Sequence, residues 1–225
     1  MGKLILAGGG DEVQSRIVDK EFVGLINKDK PMLYIPVAMD TKMIPYDSCK
    51  TWINRVFNPL GIKNITMWTE QDLYHRKVED LTPFSSVYIG GGNTYSLLHF
   101  FYRTQFTTVL KEYVKNKGII YGGSAGAIIF GKDIRTCSHM DDNNAGLNEL
   151  NGLGLVKQFS IWCHYKKDND GLIHNYLQQI NNHVIALPEE TALRVDESGM
   201  KVLGSKPAYI FDGDTKKQIQ PGCEW

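Results

Sequence analysis

The stretch Ile120-Tyr121-Gly122-Gly123-Ser124-Ala125-Gly126-Ala127-Ile128-Ile129 constrains this chain more than any other. Apolar residues suited to a buried strand run into two glycines, deliver one serine, and continue as small and branched apolar residues suited to a helix under the sheet. This is the pattern of a nucleophile elbow. A sharp strand-to-helix turn puts its central residue in a strained conformation, and its neighbours must be small to avoid striking the strand or the helix. Gly122, Ala125 and Gly126 meet that demand. The turn presents Ser124 Oγ at the C-terminal edge of the sheet and aims free amide protons at charge developing beside it. A glycine-rich turn with an exposed serine is the plainer account of GxSxG alone. The buried strand before it and the apolar segment after it favour the catalytic one.

Strands and helices alternate on the N-terminal side of the elbow. Leu4–Ala7, 31–36, 65–68, 86–89 and 118–121 read as short buried strands, with helical patterns over 12–28, around Trp52–Phe57, around Tyr95–Phe101 and around Val109–Val114. A short helix is expected within Glu70–Asp80. Such alternation predicts an α/β chain built on a mainly parallel, doubly wound sheet with its working loops at the C-terminal strand ends. Residues 131–155 are polar and irregular, and apolar runs at 159–163, 184–187, 191–195, 200–203 and 208–211 are expected to extend the sheet and add hairpins. Residues 1–225 are read as one domain, a length that can bury a substantial core.

Two glycine clusters follow strands. Gly8-Gly9-Gly10 lacks the spacing of a dinucleotide fingerprint, because Asp11-Glu12-Val13 follow; it is read as a loop passing close to the rim of the site. Gly90-Gly91-Gly92-Asn93-Thr94 lies at the end of another strand and precedes a helix that Asn93 or Thr94 can cap. Its backbone N–H groups can face a ligand, so the cluster can supply one oxyanion donor while Ala125 supplies the other.

A serine needs a base, and the base needs a partner that fixes its tautomer. Of the six histidines, His99 and His174 sit in apolar helical patterns, His139 lies in the loop after the elbow, and His164 ends the apolar strand Phe159–Cys163. His164 is the preferred base. Glu189 follows Val184-Ile185-Ala186-Leu187-Pro188 at another strand end and is preferred as its partner; Glu190, Asp141 and Asp142 remain open. Lys166 or Lys167 is a candidate for binding a substrate carboxylate, and Arg135 with the 136–144 loop for reading the substrate.

Charge limits the partners. With 25 basic and 25 acidic residues there is no cationic surface to argue for nucleic acid. Four scattered cysteines without a CxxC disfavour a zinc knuckle or a disulfide framework, so a reducing, cytoplasmic setting is the expectation. No signal-like or membrane-spanning stretch is visible.

The segments around Gly90–Thr94, Gly122–Ala127, Trp162–Tyr165 and Leu187–Leu193 together resemble the serine peptidase family of aspartyl dipeptidase (peptidase E) and cyanophycinase. That resemblance implies a three-layer α/β/α fold related to class I glutamine amidotransferases. It implies a Ser-His-Glu triad of Ser124, His164 and Glu189, with Gly92 and Ala125 as oxyanion donors and Gly91 as a near alternative. It implies hydrolysis of short peptides, Asp-X dipeptides among them, with no metal or organic cofactor, by a monomer or homodimer. Tyr165-Lys166-Lys167-Asp168 departs from the arginines that follow the histidine in cyanophycinases, which leaves the substrate open, with Gly91, Asn93, Arg135 and Lys166 as binding candidates. An isopeptidase, amidase or esterase using the same triad, or a catalytically silent small-molecule binder, are the competing readings.

Overall fold

Period-two burial along short strands decides how this chain layers. The computed structural model describes residues 1–180 and 182–225. In β1 (Lys3–Ala7), Leu4 and Leu6 face one core while Ile5 and Ala7 face another. Both faces therefore need covering. On one side lie α3 (Thr94–Arg103), α4 (Phe106–Lys115) and α5 (Ala125–Ile128), contributing Leu97, Phe101, Leu110 and Ile128; on the other, α1 (Arg16–Val23) and α2 (Tyr46–Phe57) contribute Phe22, Ile53 and Phe57.

The main sheet joins β1 to β2 (Met32–Ile35), β3 (Ile65–Met67), β4 (Ser86–Ile89), β5 (Ile119–Gly123), β8 (Thr191–Asp196) and β9 (Gly199–Gly204), in the order β3-β2-β4-β5-β1-β8-β9. The first five of these are parallel, and β8 and β9 add on antiparallel. The sheet is thus mixed and mainly parallel, on an α/β plan.

Four details differ from the sequence expectation. First, β6 (Phe159–Trp162) and β7 (His183–Ala186) do not extend the main sheet. With β10 (Ala208–Asp212) and β11 (Thr215–Ile219) they form a second sheet, ordered β11-β10-β7-β6. The open edge of β1 is taken by β8, and the second sheet instead buries Trp162, Val184, Ala186 and Phe211 against Ile173 and Tyr176 of α6 (Asp170–Gln179). Second, β11 is a strand that hydrophobicity does not signal: Thr215-Lys216-Lys217-Gln218 is exposed along an edge, where polar residues are tolerated. Third, the elbow helix α5 lasts only one turn. The chain returns at 152–155, and the N–H groups of Leu153 and Leu155 take the carbonyls of Ile129 and Phe130 at 2.7 and 3.0 Å. Fourth, the expected helix within Glu70–Asp80 is two short 3-10 turns, Glu70–Leu73 and Val78–Leu81.

The two sheets share one core, with Ile161 and Ile185 packed in the same cluster as Leu4 and Leu6, and hydrogen bonds join them beside Ser124. Ser124 N–H donates to Ala7 O at the end of β1, and His164 N–H, just past β6, donates to Gly8 O at 2.7 Å. Leu187 closes the same junction, donating to Trp162 O and accepting from Tyr165 N–H.

Candidate active site

Ser124 occupies the turn between β5 and α5 with φ 50° and ψ −111°, a conformation an L-residue adopts only under constraint. The constraint is steric. A Cβ on Gly122 would stand 2.2 Å from Gly126 O, and one on Gly126 would stand 2.3 Å from Ile89 O, so side chains at either position would force β4, β5 and α5 apart.

His164 also has positive φ, 51°, in the turn after β6. Its Nε2 lies 2.8 Å from Ser124 Oγ and its Nδ1 lies 3.0 Å from Glu189 Oε1. Gln14 Nε2 donates to the other carboxylate oxygen of Glu189 at 2.8 Å, while Gln14 Oε1 accepts from Asp11 N–H at 2.9 Å. The hydrogen bonds from His164 and Gln14 hold the Glu189 carboxyl below the usual carboxylate range. An ionised carboxylate only accepts, so the proton shared with His164 sits on Nδ1. Nε2 is left to accept the Ser124 hydroxyl proton.

The imidazole has a floor. A Cβ on Gly9 would stand 2.1 Å from His164 Cε1, and the backbone there has φ +114°. Gly9 therefore lets the loop after β1 lie directly against the ring.

The other acids point elsewhere. Glu190 pairs with Lys206 at 2.6 Å. Asp141 Oδ2 accepts from Thr94 N–H at 2.8 Å, and the Asp142 carbonyl accepts from Asn93 Nδ2 at 2.9 Å, so both serve the start of α3. His139 is stacked on Trp162, its centroid 4.3 Å away, and burial pushes its pKa down.

Gly91 packs on the serine: a Cβ there would be 3.3 Å from Ser124 Cβ. Gly92 has φ +133°, and a Cβ on it would strike Ala38 O at 2.2 Å. Among the described residues the N–H groups of Gly91 and Gly92 have no backbone acceptor, whereas Asn93 N–H donates to Ala38 O. Both glycines line, with Ser124 and His164, a cavity of about 520 Å³.

The remaining candidates lie around this cavity rather than in it. Asn93 Oδ1 caps α3 by accepting from Ser96 N–H at 2.9 Å. Arg135 is forked onto Asp133 and lines a separate depression with His139 and Trp162. Lys166 lines a basic groove with Lys167, Lys206 and Lys216, and its charge also favours the ionised form of Glu189. Sequence reasoning missed Gln14 and the aromatic wall of the cavity. Gln14 carries no local signal, because its partner is 175 residues away. The wall does carry one: Tyr34, Tyr88 and Tyr121 sit near the ends of three strands, and register pairs Tyr34 with Tyr88 and Tyr88 with Tyr121.

Comparison with known proteins agrees with this geometry. The family model of peptidase family S51 matches residues 4–203. The chain belongs to that family. A peptidase E from Nostoc sp. (strain PCC 7120) is 26% identical over 216 residues, covering 90% of this chain and 84% of its own. A peptidase E from Shewanella sp. (strain W3-18-1) is 30% identical over 145 residues, which is 60% of each chain. In fold, the chain is similar to a peptidase from an acI-B1 Actinobacterium, with a TM-score of 0.76 at 19% identity, covering 100% of this chain and 96% of that one. Within family S51, the Ser124–His164 contact is that of a serine hydrolase. Among the described residues no helix is long and apolar enough to cross a membrane.

Proposed function

We propose that the chain, as one domain over residues 1–225 with the three-layer sandwich of the class I glutamine amidotransferase type, is a serine peptidase that cleaves short peptides through an acyl-enzyme on Ser124. The observation that carries this reading is the continuous hydrogen-bonded line from Ser124 Oγ through both His164 nitrogens to Glu189.

His164 Nε2 takes the Ser124 proton as Oγ attacks the scissile carbonyl, and Glu189 steadies the imidazolium that forms. The backbone N–H groups of Gly92 and Ala125 receive the oxyanion, with Gly91 the near alternative; one such donor contributes about 3–4 kcal/mol in comparable sites. The same histidine then protonates the amine leaving group and activates the water that releases the acyl product. Short peptides fit a cavity of about 520 Å³ that opens beside the serine.

The test combines labelling with turnover. Wild-type protein is expected to be labelled at one serine by a fluorophosphonate and to hydrolyse dipeptides or aminoacyl amides. Ser124→Ala is expected to lose labelling and about a million-fold in kcat. Labelling at another residue, or full activity in Ser124→Ala, would remove the proposal.

A further inference from the structure

Resting on the acyl-enzyme reading above, we propose that the cavity beside Ser124 receives an uncharged apolar or aromatic side chain from the acyl half of the substrate. The enzyme then cleaves after residues such as Phe, Leu or Met in preference to aspartate.

The cavity is lined by Ser124, Gly91, Gly92 and His164, so a side chain entering it belongs to a residue flanking the scissile bond, and the acyl residue is the one that stays bonded beside Ser124 once the amine has left. Its wall is built by the sheet itself. Register places Tyr34, Tyr88 and Tyr121 side by side on β2, β4 and β5, and the Tyr88 and Tyr121 rings stack at 4.5 Å. Trp52 of α2 closes against Tyr34 and Tyr88, with centroids at 6.5 and 6.2 Å. Met39 and Ile44 complete the lining toward the mouth, where Ile44 and the neighbouring Met43 are exposed.

The lining holds the hydroxyl groups of Ser15, Ser48 and the three tyrosines but no cation to answer a carboxylate, and Ser15 already donates to Asp19. No lysine or arginine lines the cavity among the described residues. Arg55 is paired with Glu12, Arg135 with Asp133, Lys206 with Glu190 and Lys216 with Asp170. A carboxylate buried without a cation is disfavoured relative to an apolar side chain, so an aspartyl side chain gains less from entering this cavity than Phe, Leu or Met does. The charge beneath the wall has the wrong sign as well. Asp19, 2% exposed, accepts from Ser15 Oγ at 2.8 Å, and Ser15 lines the cavity. Buried as it is and engaged by Ser15, Asp19 does not itself reach a ligand, which separates this cavity from one built to hold a cationic side chain.

The experiment keeps the leaving group constant and varies only the acyl residue. Aminoacyl 7-amido-4-methylcoumarins of Phe, Leu, Asp and Arg are assayed with wild type, Trp52→Arg and Met39→Arg, alongside fluorophosphonate labelling of Ser124. In wild type, kcat/KM for Phe and Leu is expected to exceed that for Asp and Arg at least tenfold, about the discrimination an apolar pocket gives. Either arginine variant is expected to raise the Asp-to-Phe ratio; Met39 lies in a loop, so that variant remains informative if Trp52→Arg does not fold. Equal or preferred cleavage of Asp or Arg by wild type overturns the inference and leaves the serine mechanism standing. Failure to cleave any of the four while Ser124 still labels also overturns it. Absence of labelling removes the acyl-enzyme reading itself.

Discussion

Gln14 shows how one side chain can govern the carboxylate of the proposed triad. It donates to Glu189 Oε2 and is itself held by Asp11 N–H, and the loop between them is tightened by Asp11 Oδ1 accepting from the N–H groups of Val13 and Gln14. With Gln14 and His164 both stabilising the ionised form, the Glu189 carboxyl lies below its ordinary value. A depressed acid contributes its interaction above its unfolded pKa and loses it as pH falls through the folded pKa. Gln14→Ala therefore moves that loss to higher pH. The expected result is a Glu189 carboxyl resonance titrating at higher pH by carbon NMR, with kcat reduced several-fold and KM little changed. Glu189→Gln is the harsher change: it removes the charge opposite the imidazolium and frees the ring to take the wrong tautomer, with an expected loss of about 10⁴ in kcat. Unchanged kcat in Glu189→Gln would exclude Glu189 from the proposed triad.

The elbow is an element whose tolerance is set by backbone rather than by side chains. Gly126 lies against Ile89 O, and a methyl group there has no flexible neighbour to displace. Gly126→Ala is expected to push α5 off β4 at a cost of about 1–3 kcal/mol, measured as a lower urea midpoint, and to slow phosphonate labelling by displacing Ser124. A variant with wild-type stability and labelling would show that the turn can relax. This steric demand explains why the elbow was legible in the sequence: close approach can be met by few residue types, and the glycines stand at the required spacing. Strand ends were legible for a related reason, since Pro188 stops β7 and delivers Glu189 beyond it. The second sheet was not. Whether β6 and β7 join β1 or each other depends on which edge is already occupied, and their apolar runs are compatible with both. The edge strand β11 escaped because its exposed lysines carry no apolar alternation.

At the scale of the molecule, the candidate site is a joint. Ser124 comes from the main sheet, His164 from the turn leaving the second sheet, and Glu189 from the crossing between β7 and β8. Packing between the sheets and the helices consequently holds the geometry of the candidate site, and a charge buried in that packing is expected to register in global stability. Asp19 is such a charge. It lies 2% exposed between α1 and the sheet, where burial raises its pKa from 3.8 to about 6, against the opposing effect of the Ser15 and Tyr121 hydroxyls. Between those two values the folded protein binds more protons at Asp19 than the unfolded chain does, so this group makes stability fall as pH rises. Above pH 6 the cost levels off at about 3 kcal/mol, the free-energy equivalent of the shift. Asp19→Asn has no such titration and keeps an oxygen that can accept from Ser15. Its stability relative to wild type is therefore expected to climb between pH 4 and pH 6 and to remain constant above, measured by urea unfolding at a series of pH values. A difference that does not change with pH would show that Asp19 titrates as it does in the unfolded chain, and that the contact with Ser15 fully offsets its burial.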